Sequence, residues 1–309
     1  ISRIAFNQNI QMKRGNPAIF TLLFILATFV VFCGNKDENK KDGIILPPSE
    51  VQNYKYEKPS AETIRLMTYN SFYCKSNTGS PAFNATNTKN FADVIRSLSP
   101  DIIAIQELDS GAVGRDKRFL LKEIKEATGI DYQIVFGQAA QYDGGKIGNG
   151  ILIKKTFAIQ GIKMISLPGK EARILVVVEL PEFVFMATHL DLDNNNRIAS
   201  AAIINDFAKK YNKPLFLAGD LNDSPAWDKE KSAFPTLYER FESISAADGS
   251  LPNDAGTTID YILLDKSNKQ LVAKQGSNVV KQLYIDTQVV DIKTVSDHYP
   301  VFVDLKIIK

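Results

Sequence analysis

Cysteine is nearly absent from this chain, with Cys33 and Cys74 the only two. Histidine is as scarce, at His189 and His298, and Trp227 is the single tryptophan. So few cysteines and histidines, far apart in sequence, exclude a structural zinc site with the usual Cys/His spacing. A surplus of positive charge is missing too. The 309 residues carry a formal net charge of +2, whereas proteins that grip duplex DNA electrostatically show a pronounced basic excess. No stretch recurs with a period of about 20–50 residues, which excludes solenoids and propellers. What remains is globular composition, 44% hydrophobic and 23% charged, enough for one large domain.

Long apolar runs are missing from all but one place. Ala18 to Phe32 is apolar apart from threonines, follows the basic Met12-Lys13-Arg14 and ends at Cys33. That is short of the roughly 20 residues a bilayer span needs and suits a signal-peptide core. The abrupt polar turn after Cys33, Gly34-Asn35-Lys36-Asp37-Glu38, resembles a bacterial lipoprotein signal, in which the cysteine becomes the acylated N-terminus. The lysine and acidic pair also resemble a surface-export tag. Phe32 departs from that pattern, which wants a small residue before the cysteine, and an uncleaved anchor is the alternative. We therefore expect residues 1–33 to be a signal segment, 34–61 a polar tether stiffened at Pro47-Pro48, and 62–309 one exported catalytic domain. Removing Arg3, Lys13 and Arg14 with the signal takes the charge from +2 to about −1. With Cys33 lipidated, Cys74 has no partner for an intramolecular disulfide.

Within the domain, strands alternate with helices and then follow one another. Thr63 to Tyr69, Asp101 to Gln106, Tyr132 to Phe136, Gly150 to Lys154, Ile174 to Leu180, Phe183 to His189 and Leu215 to Ala218 read as strands. Later strands are predicted at Thr258–Leu264, near Tyr284–Val289, and at Val301–Ile307. Helical spacing marks Asn90–Leu98, ended by Pro100, then Arg118–Thr128 capped by Gly129, and Asn196–Tyr211. Helices flanking a mixed sheet core imply a layered α/β fold.

Polar groups sit at or near the ends of these apolar segments: Asn70, Glu107, His189, Asp220 with Asn222, Asp260, and Asp297-His298. Binding groups collect at strand ends in open α/β sheets. The chemistry that needs this mixture is metal-assisted phosphoester cleavage. Glu107 offers a hard oxygen to Mg²⁺ or Mn²⁺, and a metal there would offset charge building on the phosphoryl group. Asp220 is suited to orient or deprotonate water, and Asn222 and His189 to donate to phosphoryl oxygens. His298 is suited to proton transfer or charged stabilisation, with Asp260 holding its tautomer.

The motifs Met67-Thr68-Tyr69-Asn70, Asp101 to Glu107, Gly148-Asn149-Gly150, Ala187-Thr188-His189-Leu190-Asp191, Gly219-Asp220-Leu221-Asn222-Asp223, Ile259-Asp260-Tyr261 and Ser296-Asp297-His298-Tyr299-Pro300 occur in one order. Together they resemble the endonuclease/exonuclease/phosphatase superfamily of metal-dependent phosphoesterases related to DNase I, exonuclease III and neutral sphingomyelinases. The resemblance implies a four-layered α-β-β-α sandwich with the site at one edge of the paired sheets, and places Asn70 and Asp297 near the metal. Asn70, Asn149 and Lys146 are candidate substrate contacts, the last from a glycine-rich loop at Asp143–Lys146. Phe72, where exonuclease III-type repair enzymes carry a second asparagine, and His189, where they tend to have tyrosine, disfavour an abasic-site endonuclease.

The expected substrate is a nucleic acid, a phospholipid or a small phosphoester, handled by a monomer held at the membrane through Cys33. A non-catalytic module on the same fold would show an eroded site, which this chain does not. Arg197 is expected to pair with a carboxylate, and Trp227 to pack.

Overall fold

The computed structural model describes residues 51–78 and 82–308, so Cys33 and most of the expected tether lie outside the described residues. Two six-stranded sheets stack face to face. The first runs in the order β11 (Val272–Val279), β14 (Val301–Ile307), β1 (Ile64–Asn70), β2 (Ile102–Ser110), β4 (Gly145–Lys154), β3 (Tyr132–Tyr142). The second runs β5 (Gly161–Leu167), β6 (Arg173–Glu179), β7 (Val184–His189), β8 (Leu215–Asp220), β10 (Asp260–Asp265), β9 (Phe241–Ser243). A hairpin, β12 (Gln282–Ile285) and β13 (Gln288–Asp291), completes the strands.

Three apolar cores define four layers. Leu66, Ala104, Ile151, Phe185, Phe216 and Ile262 fill the space between the sheets. On the outer face of the first sheet, Met67, Ile103 and Leu152 meet α1 (Ala85–Leu98) and α2 (Leu120–Thr128). On the outer face of the second, Met186, Leu217 and Leu263 meet α3 (Asn194–Ala208) and α4 (Phe234–Arg240). Strands covered on both faces lose alternation, which is why β7 and β8 are buried throughout. The fold is the expected α-β-β-α sandwich. Among the described residues no helix is long and apolar enough to cross a membrane.

Local signals set the helix ends. The Asn84 side chain accepts from the Asn87 N–H at the start of α1, and Ser99, left-handed at φ 45°, ends it before Pro100. This helix begins five residues ahead of the predicted Asn90, because the polar first turn carries no apolar stripe. Elements with one solvated face went unpredicted for the same reason. Strands β5 and β11 are largely exposed edge strands, and α4 and β9 are short. The glycine-rich segment at Asp143–Lys146 is the tight turn of the long β3–β4 hairpin. Folded structure also reaches back into the predicted tether. Tyr56 packs edge-on against Phe302 with ring centroids 5.9 Å apart, and Lys58 pairs with Asp101.

The buried Arg65 ties the first sheet to α1. It lies opposite Asp304 in the β1–β14 register and donates to both of its carboxylate oxygens, at 2.8 and 2.7 Å. Its remaining reach goes to the Leu98 carbonyl at 2.8 Å and to the face of Phe302. Removing one partner of such a pair leaves an uncompensated buried charge, a cost of about 3–5 kcal/mol. That is a large part of the roughly 5–15 kcal/mol that stabilises a domain. Asp304→Ala is therefore expected to lower the urea midpoint by an amount matching that loss, and an unchanged midpoint would contradict this account of the pair.

Candidate active site

Register brings the polar strand ends to one place. Strands β7 and β8 run parallel with His189 opposite Asp220, and β10 runs antiparallel with Asp260 opposite Asp220. In the facing sheet, β1 and β2 run parallel with Asn70 opposite Gln106. The segment before β14 brings Asp297 and His298 to the same end. Gly219 permits the close approach of β7 and β8, since a Cβ there would lie 2.0 Å from the Thr188 carbonyl oxygen.

Asp220 is the hub. One carboxylate oxygen, Oδ2, accepts from Asn70 Nδ2 at 3.1 Å and lies 3.5 Å from His189 Nε2 and 3.6 Å from His298 Nε2. The other accepts the Asn222 backbone N–H at 2.9 Å. Asn70 crosses between the sheets and also donates to Glu107 Oε1 at 3.2 Å. Its own Oδ1 accepts the Phe72 N–H at 3.0 Å. Asn70 thus presents its amide N–H groups to both carboxylates and links the two sheets, beside Glu107 as expected.

The two imidazoles are prepared differently. His298 Nδ1 sits 2.8 Å from Asp260 Oδ2, which also accepts from Ser250 Oγ at 2.7 Å. Burial alone would lower the His298 pKa, but Asp260, Asp220 and Asp297 outweigh it and push it up to about 10. His298 is an imidazolium at neutral pH, with Nδ1–H committed to Asp260 and Nε2–H turned toward Asp220. At His189 burial dominates, and the pKa falls to about 4 despite Asp220, with Arg173 lowering it further. The tautomer follows from Asn222. Its Nδ2 donates to the Leu190 carbonyl at 2.9 Å, which fixes the amide orientation, and the second hydrogen meets His189 Nε2 at 3.0 Å. Nε2 is then an acceptor and Nδ1 carries the proton. In this arrangement the Asn222 amide, expected to donate to a phosphoryl oxygen, is engaged with His189 and the Leu190 carbonyl.

Glu107 sits at the β-bulge of β2, with a left-handed φ of 56°. Desolvation and the nearby Asp297 raise its pKa to about 7, and Asp297 is itself raised by burial. Among the described residues the buried Oδ1 atom of Asp297 has no hydrogen-bond partner. Two carboxylates that resist ionising together, one with an orphaned oxygen, suit a cation. Asp220, Asp260 and His298 also have ligand atoms within 4.8 Å of one another. That trio is a second group able to hold a cation, which would take the place of the His298 Nε2 proton.

The cleft beside Glu107 is lined by Tyr73, Gly148, Asn149, Glu171, Arg173 and His189. Asn149 is buried there and donates to the Ile174 carbonyl at 3.3 Å. Lys146 does not join it: it is exposed on β4, one position out of step with Asn149 in the two-residue alternation of the strand. Trp227 does not pack as expected either. It is 42% exposed, 5.9 Å from the Arg197 guanidinium, which pairs with Asp223 at 3.1 Å. Sequence reading missed Arg173 and Tyr73. Arg173 opens β6, where a charge near Glu171 reads as a strand flank, and among the described residues its buried Nε has no hydrogen-bond partner. Nothing in the sequence distinguishes Tyr73 from a core aromatic.

Paired sheets that converge on buried carboxylates and imidazoles define the chain as a phosphoesterase-type α/β sandwich. The profile of the Endonuclease/Exonuclease/phosphatase family matches residues 67–298, and the chain belongs to that family. No curated protein sequence matches it significantly. Among solved structures it is similar to an endonuclease/exonuclease/phosphatase family protein from Bacteroides thetaiotaomicron (TM-score 0.60, 19% identity, 79% of this chain and 94% of that one). A mannosyl-6-phosphatase from Bacteroides thetaiotaomicron VPI-5482 gives 0.59 and 19%, covering 78% and 99%. The D. rerio TDP2 complexed with single strand DNA product gives 0.58 and 15%, covering 79% and 99%.

The shifts at the two histidines predict their titrations. In metal-free, untagged protein, one imidazole is expected to stay charged until about pH 10 and the other neutral down to about pH 4. With only two histidines in the chain, two sets of ring NMR signals report this directly, and two midpoints near 6.5 would refute it. The stability contributions have opposite sign. That of His298 is fully present below its unfolded pKa of about 6.5 and is lost as pH rises toward 10. His189 costs stability as pH falls from about 6.5 toward 4, because the unfolded chain binds a proton that the folded one refuses.

Proposed function

We propose that the protein is a metal-dependent hydrolase of phosphodiesters or phosphomonoesters. The observation that carries this reading is the hub at Asp220, where a charged His298, a neutral His189 and the bridging Asn70 meet one carboxylate. Glu107, with Asp297 beside it, would hold Mg²⁺ or Mn²⁺, which when bound polarises a phosphoryl oxygen and offsets transition-state charge. Asp220 accepts the proton of the attacking water. His298, fixed through Nδ1 by Asp260, stabilises the negative charge of the pentavalent phosphorus through Nε2–H. His189, with its tautomer set by Asn222, would donate to a phosphoryl oxygen through Nδ1–H. Arg173 adds positive charge to the cleft wall.

The structural neighbours include a mannosyl-6-phosphatase and a TDP2 bound to a DNA product, so both sugar phosphates and nucleic acids are reasonable substrate classes here. We further propose that the domain is exported and anchored through a lipidated Cys33, on the strength of the basic–apolar–cysteine–polar order of residues 12–38.

Two experiments test this. The full chain should hydrolyse p-nitrophenyl phosphate, bis(p-nitrophenyl) phosphate or nicked-plasmid substrates with Mg²⁺ or Mn²⁺ and lose that activity in EDTA. His298→Ala should lower kcat by about 10²–10⁴-fold. Activity that EDTA leaves intact, or a folded protein inert on all three, would refute the reading. Expressed in a bacterial host, the chain should incorporate labelled palmitate, and Cys33→Ser should abolish it; unlabelled wild type would end the lipoprotein proposal.

A further inference from the structure

Strand β11, the β12–β13 hairpin and the segment ahead of β1 border a second cavity, which shares no lining residue with the cleft beside Glu107. It measures about 530 Å³, within the range of small-molecule sites. Three tyrosines line it, brought from the two ends of the domain. Tyr54 closes the short 3-10 helix Gln52–Tyr54, Tyr56 follows it, and Tyr299 precedes β14. Asn278, near the end of β11, and Gln282, the first residue of β12, add two primary amides.

These side chains are free to meet a ligand. Among the described residues no ring or cation stacks on Tyr54 or Tyr299, and the side-chain amides of Asn278 and Gln282 make no hydrogen bond. Gln282 lies directly opposite Asp291 in the hairpin register, so its amide and that carboxylate stand on one face. The carboxylates themselves are compensated. Asp248 pairs with Lys281 at 3.1 Å and Asp291 with Lys293 at 2.9 Å, which leaves the cavity little pull on an ion.

This lining fits a neutral ligand with two kinds of surface. A tyrosine face is apolar and carries the negative side of the ring quadrupole, which attracts C–H groups. Each amide offers a donor and an acceptor in one plane, and a carboxylate only accepts. A sugar ring presents C–H bonds on its faces and hydroxyls, each both donor and acceptor, around its rim. A proline-rich peptide also lies against tyrosines, but its backbone presents carbonyls, acceptors that the two carboxylates cannot serve.

We propose that this cavity is a carbohydrate-binding site, taking a neutral oligosaccharide with sugar faces against Tyr54 and Tyr299 and hydroxyls on Asn278 and Gln282. It gives the domain a hold on glycan that is separate from turnover. The inference is independent of the hydrolytic reading, since no residue of the Glu107 cleft takes part.

Saturation-transfer NMR on the full chain tests this, with maltotriose, cellotriose, chitotriose and mannotriose as probes and a proline decapeptide as the competing ligand. At least one trisaccharide should bind, with saturation strongest on its ring C–H protons. Tyr54→Ala should weaken that binding about tenfold and Gln282→Ala about fivefold. In both variants the ring signals of the two histidines should stay in place, which shows that the domain is folded. Failure of all four sugars to bind at about 10 mM overturns the site. So does preference for the decapeptide, or sugar binding that neither substitution weakens. Each of these results leaves the hydrolytic reading where its own assays put it.

Discussion

Four carboxylates, Glu107, Asp220, Asp260 and Asp297, converge where the ends of the two sheets meet, and Asp220 and Asp260 are fully buried. Like charges held together out of water repel strongly, so each must find compensation within the protein. Asp260 and Asp220 share the imidazolium of His298, and Asn70 spans from Asp220 to Glu107 with its amide hydrogens. Glu107 and Asp297 are left with raised pKa values and an orphaned oxygen. That residual imbalance is the physical basis for the proposal that Glu107 and Asp297 hold a cation. The same repulsion explains why one histidine is driven to the charged form while the other, a few ångströms away and buried beside Arg173, is kept neutral.

The sandwich exists, in functional respects, to hold this imbalance still. Parallel pairing of β1 with β2 and of β7 with β8 aligns four strand ends, and packing of the sheets brings the two pairs together. Where regular strand geometry would misdirect a side chain, the backbone departs from it. Glu107 and Asn222 are left-handed, at φ 56° and 48°, and the turn after Asn70 is left-handed over three residues. Left-handed backbone at these positions aims side chains at the hub, and three well-packed apolar cores hold it there.

Much of this was legible in the amino-acid sequence. Strands buried on both faces announce themselves as apolar runs, and their polar ends mark the site; Asn70, Glu107, His189, Asp220, Asn222, Asp260, Asp297 and His298 all come to that one end. Elements with a solvated face were not legible. Strand β11, with its exposed, polar Lys274, Gln275 and Asn278, has no alternation to read, and β5 is an edge strand with Ile162 and Met164 turned outward. Lys146 misled because a glycine-rich turn looks like a flexible loop until its pairing partner is known. Tyr73 was silent because a left-handed turn is a property of conformation, and nothing in the residue type reports it.

By itself, then, the sequence determined which chemical groups are present, their order, and that apolar strands would carry them to strand ends, since hydrophobic patterning acts over a few residues. The tertiary structure alone decided what each group faces. Asn70 meets Asp220 across 150 positions of chain, and His298 meets Asp260 across 38. Charge state, tautomer and donor direction depend on those long-range neighbours and on exclusion of water, neither of which is encoded locally. Two histidines of identical intrinsic chemistry are thereby separated by about six pH units, one near 4 and one near 10.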